Sequence, residues 1–108
     1  MDAYHVLTTT DSQEEASRLG HLAIEQRLAA CAQVDGPVTS TYWWQGSMET
    51  ATEWHLWLKT TGARLDSLID LIRTEHSYDV PEIIASPITA GNAAYLDWIA
   101  KETNAGGG

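Results

Sequence analysis

One stretch limits the choice of fold more than any other. Cys31 to Thr61, CAQVDGPVTSTYWWQGSMETATEWHLWLKTT, reads as two long strands joined by a turn at Gln45, Gly46 and Ser47, and it carries four of the chain's five tryptophans. On its second strand Trp54, Leu56 and Leu58 alternate with His55, Trp57 and Lys59, and a strand's period of two sends these sets to opposite faces of a sheet. The first set is a core face. The second is half apolar as well, and leaving an indole such as Trp57 bare forgoes burial worth roughly 1.5–3 kcal/mol. Both faces therefore call for a cover: the chain's own helices on one, a second copy of the protein on the other.

The rest of the chain supplies those helices. Tyr4 to Thr10 alternates as a strand, and Ser12 with Glu15 has the spacing of a capping box that opens a helix running to about Ala29. Ala16, Leu19, Ala23 and Ile24 form its apolar stripe, with Leu28 at the edge. The second strand begins near Cys31, and Asp35, Gly36 and Pro37 interrupt it as a bulge, bend or edge, because proline gives a ladder no donor. After the hairpin, Leu65, Leu68, Ile69 and Ile72 mark a helix over Arg64 to Arg73. Glu82 to Pro87 then reads as a buried fourth strand, because Ile83, Ile84 and Ala85 are continuously apolar. Gly91 and Asn92 cap a short last helix bearing Tyr95, Leu96, Trp98 and Ile99.

The order β, α, β, β, α, β plus a terminal helix predicts an α+β, ferredoxin-like split βαβ sandwich with a long bent hairpin. Residues 1–102 form the single domain and 103–108 a disordered tail. Six Lys and Arg against fifteen Asp and Glu give a net charge of −9, which disfavours nucleic acid and favours cations or basic partners. No run approaches the roughly 18 apolar residues of a membrane span, and the N-terminus lacks the pattern of a signal peptide. The lone cysteine, Cys31, cannot form an intramolecular disulfide, so a reducing cytoplasm is expected for a soluble, unprocessed chain.

Ordered motifs across nearly the whole chain resemble the CutA family of divalent-cation-tolerance proteins. They are Leu28-Ala29-Ala30-Cys31-Ala32, Ser40-Thr41-Tyr42-Trp43-Trp44-Gln45-Gly46, Glu53 with Leu58-Lys59-Thr60-Thr61, His76-Ser77-Tyr78-Asp79-Val80-Pro81-Glu82, and Tyr95-Leu96-Asp97-Trp98. The resemblance implies a ferredoxin-like protomer in a tight homotrimer, similar in architecture to PII-type signalling proteins, and a link to tolerance of copper and other divalent cations. Two positions depart from the pattern. Ser77 stands where the family usually has proline, and Thr8 and Thr9 stand where some metal-binding members carry a cysteine. One thiol per chain is then left for Cu(I).

Cys31 and His76 are accordingly the candidate metal ligands, in a site that only folding or trimerisation could assemble, since no histidine or cysteine has the close pairing of a structural zinc site. Cys31 reads equally as a small apolar residue on a strand. Glu53, His55, Trp57 and Lys59 share one strand face, either as a binding row or as a subunit contact. His5 and His21 read as bystanders. Lys59, Tyr78, Glu82, Tyr95 and Trp98 match positions that resemble the family's inter-subunit cleft, where they could cradle a small anionic or metal-bound ligand; Lys59 and Glu82 could equally form a buried ion pair.

No Ser-His-Asp spacing, phosphate-binding glycine loop or paired arginines appear, so the chain reads as a non-enzyme with no organic cofactor. The leading expectation is a trimeric protein of divalent-cation, particularly copper, tolerance that binds metal weakly. The alternative is a PII-like signalling or scaffold trimer that takes a small-molecule or protein effector in the cleft. A small hydrolase using His76 and Glu82 comes third.

Overall fold

The computed structural model describes residues 2–104. Strand β1 (Ala3–Thr10) leads into helix α1 (Gln13–Glu25), the hairpin strands β2 (Cys31–Trp44) and β3 (Ser47–Thr61), helix α2 (Gly62–Glu75), strand β4 (Ile83–Ile88) and helix α3 (Ala93–Glu102). The strands form one antiparallel sheet in the order β2-β3-β1-β4. This is the expected ferredoxin-like arrangement, with α1 and α2 packed on one face.

Helix α1 starts where its sequence says it should. The Ser12 hydroxyl accepts the Glu15 N–H at 3.1 Å, but the Glu15 carboxylate does not return to the cap. It pairs instead with Arg18, whose guanidinium also reaches Glu75 of α2 at 3.2 Å and so ties the two helices together. The helix ends at Glu25, earlier than the expected Ala29. Arg27 takes a left-handed φ of 60°, its N–H returns to the Ile24 carbonyl, and the Leu28 N–H returns to that of Ala23. That pair of bonds is a Schellman stop, and it turns Leu28 into the core.

The helix-covered face holds the core: Val6, Leu56 and Leu58 from the sheet lie against Ala16, Leu19 and Ala23 of α1 and Leu68 and Ile72 of α2. The opposite face follows from the register. Leu7 is paired with Trp57 on one side and Ile84 on the other, and Trp57 is paired with Gln33, so these residues share the face away from α1 and α2. Helix α3 covers only the end of that face near Ala3 and Thr61.

The interruption in β2 is a bulge between Asp35 and Val38 that includes a cis Gly36–Pro37 bond. Gly36 has φ +143°, and a Cβ there would lie 2.7 Å from the Trp54 ring, so no larger residue fits. The bulge changes which residues face which way. Cys31, Gln33 and Asp35 lie on the open face before it, whereas Val38, Ser40, Tyr42 and Trp44 lie there after it, the first of them opposite Glu53. At the far tip Gln45 (φ 50°) and Gly46 (φ 84°) make the two-residue turn whose twist matches the strands. The hairpin runs well past the helices and gives the molecule its extents of 48 × 26 × 21 Å.

Two expectations need correction. Strand β4 is not buried: it is an edge strand, so Ile83 joins the core while Ile84 points away from it and is 53% exposed. Thr103, assigned from sequence to the tail, is buried. Its hydroxyl bonds the Ile99 carbonyl at 2.8 Å and its own carbonyl accepts from Arg64 Nε at 2.9 Å, which closes the end of α3. The rest of the expected tail, residues 105–108, lies outside the described residues.

Candidate functional site

The polar side chains of the open face gather in two places. The first lies where the end of β1, the middle of the hairpin and the loop after α2 meet. That loop is pinned by His76, which is nearly buried as it leaves the helix. Its Nε2 lies 2.8 Å from the Thr9 carbonyl, which can only accept, so Nε2 carries the proton and Nδ1 is free to accept the Tyr78 N–H at 3.0 Å. Both ring nitrogens are thereby occupied. Tyr78, placed by this contact, donates its hydroxyl to Glu53 Oε2 at 2.8 Å. Burial first, then the neighbouring Glu53 carboxylate, pushes the phenol above its ordinary pKa, so it stays a donor.

Above this chain of contacts opens a cleft of about 610 Å³, with Glu53 and Tyr78 among its lining, Tyr42 and Trp44 from the hairpin, and Asp79 and Glu82 from the loop. None of its lining residues is a lysine, arginine or histidine. Glu82 is exposed and Glu53 is only 7% exposed.

The second place lies on β2 and β3 toward α3. Lys59 Nζ donates to Gln33 Oε1 at 2.7 Å, and Cys31 is the partner of Lys59 across the ladder. Tyr95 and Trp98 of α3 lie with ring centroids 5.4 Å apart, and burial followed by the Cys31 thiol raises the Tyr95 pKa. One chain therefore does not unite the predicted ligand set. Tyr78 and Glu82 belong to the cleft, whereas Lys59, Tyr95 and Trp98 belong with Cys31, and the imagined Lys59–Glu82 ion pair is absent among the described residues.

The same separation bears on metal binding. Among the described residues no three His, Cys, Asp or Glu side chains converge as a metal cluster. Cys31 and His76 lie in different clusters, and His76 has no uncommitted nitrogen for a metal or for work as a general base.

Between the two places runs a network that joins His55 and Trp57 of the predicted row to Asp35 and His5, which the sequence reading did not connect with it. His55 Nδ1 donates to Asp35 Oδ1 at 2.8 Å and Trp57 Nε1 donates to Oδ2 at 3.2 Å. His5, set aside as a bystander, lies against Trp57 with centroids 4.6 Å apart, and its Nε2 is buried without a partner. Burial, then repulsion from Lys59, lowers its pKa. Its parity with Leu7 on β1 was the available signal. His21, by contrast, stays on the exposed side of α1 near Glu25.

Comparison with known proteins now decides the family. The family model described as "CutA1 divalent ion tolerance protein" matches residues 4–102. The chain belongs to the CutA1 family. The divalent-cation tolerance protein CutA of Thermus thermophilus is 41% identical over 98 residues, covering 91% of this chain and 95% of that protein. The chloroplastic CutA 1 of Oryza sativa is 40% identical over 91% of this chain but only 55% of its own length, so the chain spans about half of that relative. Among solved structures, CutA from Xylella fastidiosa superposes with a TM-score of 0.93 at 33% identity, over 96% of this chain and 100% of that one. CutA1 from Oryza sativa does so with a TM-score of 0.92 at 38% identity, over 96% and 95%. The CutA fold of these relatives is the ferredoxin-like sheet described above.

Proposed function

We propose that this CutA-family chain acts in copper and general divalent-cation tolerance as a cytoplasmic homotrimer that binds metal weakly and catalyses no reaction. The observation that carries the reading is the apolar surface that one chain leaves uncovered. Trp43 is 74% exposed, Met48 67% and Ile84 53%, all on the hairpin tip or the sheet edge where a further copy can pack. Assembly would also bring the Lys59, Tyr95 and Trp98 group of one copy toward the Tyr78 and Glu82 group of the next. A metal site belongs between copies on this account. Cys31 offers the soft donor, and His76 becomes a donor at Nδ1 by releasing the Tyr78 amide; a thiolate with an imidazole suits copper.

Calorimetric titration of the purified protein with Cu(I), Cu(II) and Zn(II) tests this. Saturable binding at a whole number of metals per assembly, lost in Cys31→Ala or His76→Ala, is the expected result. An intact assembly that binds none of the three would exclude direct ligation as the basis of tolerance. The cleft favours a second reading, a small-molecule effector, because about 610 Å³ is the size of an ordinary ligand site.

A further inference from the structure

The open face carries a titratable ring whose inner nitrogen has no partner. His5 lies on β1 between Lys59 of β3 and Ser86 of β4, on the face that it shares with Leu7 and Trp57. Its ring stacks on Trp57 with centroids 4.6 Å apart and planes 32° apart, and its Nε2 is buried without a hydrogen bond among the described residues. A neutral imidazole can leave Nε2 as an unused acceptor. The imidazolium cannot, because both nitrogens then carry protons and Nε2–H becomes a buried donor with nothing to receive it.

The neighbouring elements do not balance the added charge. On β3 the nearest charge is the Lys59 ammonium, of the same sign, and Glu53 is held by Tyr78. On β2 both Asp35 oxygens are taken, by His55 and Trp57, and Cys31 lies beyond Lys59. Strand β4 has no ionisable residue, and Asp2, ahead of β1, lies against Gly62 at the head of α2. On α3 Tyr95 turns to Cys31, Glu102 pairs with Arg27, and Asp97 and Lys101 are exposed. The Trp57 ring does attract a cation, by about 0.5–1 kcal/mol at an exposed site. Burial and the Lys59 charge outweigh it, since the His5 pKa lies below its ordinary value. A second copy over this face takes more water from the same ring, which penalises the imidazolium and hardly touches the neutral form. The covered chain then binds this proton more weakly than the separate chain, so acid favours separation. We infer that His5 is an acid-sensitive latch: neutral, it lets copies close over the open face, and protonated, it releases them. The inference rests on reading that face as the contact between copies and adds the condition under which the contact opens. His55, the other imidazole of the face, is no such latch, because its Nδ1–H donates to Asp35 at 2.8 Å whether or not Nε2 is protonated.

Sedimentation equilibrium of the full chain at about pH 7.5 and about pH 5.5, either side of the ordinary histidine value and at one ionic strength, tests this. The expected result is a three-chain species whose association constant falls by about tenfold or more at the lower pH, with circular dichroism unchanged. His5→Gln and His5→Leu, which cannot take up the proton, lose most of that fall, and His55→Gln keeps it. Where neither His5 variant folds, dilution calorimetry of the natural chain at about pH 6 in two buffers of different ionisation enthalpy reads the same linkage, and net proton uptake on dissociation is expected. Dilution without proton uptake overturns the proposal. So does a fall that persists in both His5 variants, one that vanishes in His55→Gln, or dissociation accompanied by loss of the circular dichroism signal. Two further outcomes separate the latch from the assembly it acts on. A three-chain species equally tight, or tighter, at the lower pH removes the latch alone, whereas a chain that is monomeric at both pH values removes the assembly and the latch together.

Discussion

The two ends of strand β3 obey the same alternation but meet different surroundings. Near its end, Leu56, Leu58 and Thr60 are fully buried beneath the helices. Near its start, Met48 to Thr52 run past every helix, and with the facing residues of β2 they leave Tyr42, Trp43 and Trp44 at the surface. Composition does not explain the contrast, since the aromatic residues are denser at the uncovered end. What separates the ends is length: β2 and β3 are 14 and 15 residues long, whereas β1, which holds the centre of the sheet, has 8. A hairpin that outgrows its own core carries apolar side chains that only another molecule can cover.

The strongest way to break this comparison is to exchange a residue from each end. Leu56→Ala should lower the stability of the fold by about 2–5 kcal/mol, because it opens a cavity in a packed core. Trp43→Ser should leave the fold's secondary structure intact and weaken association between chains. Chemical denaturation at fixed protein concentration, read beside the concentration dependence of its midpoint, separates the two effects. A loss from Trp43→Ser that is as large as that from Leu56→Ala and independent of concentration would mean that the hairpin tip belongs to the core.

A smaller effect sharpens the boundary between the regions. Tyr78→Phe removes the hydrogen bond that, among the described residues, alone reaches the Glu53 carboxylate side chain, and should cost about 1–3 kcal/mol. The same change should lower the denaturation midpoint at fixed protein concentration, since a nearly buried carboxylate loses its donor. No movement would show that Tyr78 and Glu53 do not communicate.

The smallest effect concerns His5, which packs against Trp57 on the open face. Its folded-state pKa lies below the ordinary 6.5, so the unfolded chain takes up this proton first as pH falls. Stability is then full above pH 6.5 and declines as pH drops from there through the lowered folded value. His5→Gln should flatten that part of the profile, measured as the denaturation midpoint between pH 7.5 and pH 5. A profile unchanged by the substitution would place the pH dependence in another group.

Much of this architecture was legible because it is written in local patterns. Ser12 before Glu15, the alternation through Leu56 and Leu58, and Gly46 at the hairpin tip each specify structure within a few residues. What escaped depends on contacts between distant segments. The edge position of β4 follows from strand order, which the run Ile83-Ile84-Ala85 cannot reveal, so an exposed Ile84 was read as buried. Thr103 is fixed by Arg64 and α3, not by its neighbours in sequence. The set that the family resemblance places across a subunit boundary is divided within one chain: the bulge at Asp35–Val38 and the return of the His76 loop to Thr9 put Tyr78 in a different cluster from Lys59. Glu53 could be assigned to the right face by parity, but its bond to Tyr78 required the fold.

The measurement that bears most directly on this account is sedimentation equilibrium of the full chain over a wide range of micromolar concentrations, with Trp43→Ser alongside. A three-chain species for the natural sequence, dissociating more readily in the variant, is the predicted result. A natural chain that remains a stable monomer throughout, with a soluble and exposed hairpin, would contradict the claim that the uncovered half of the sheet exists to be covered by its own kind.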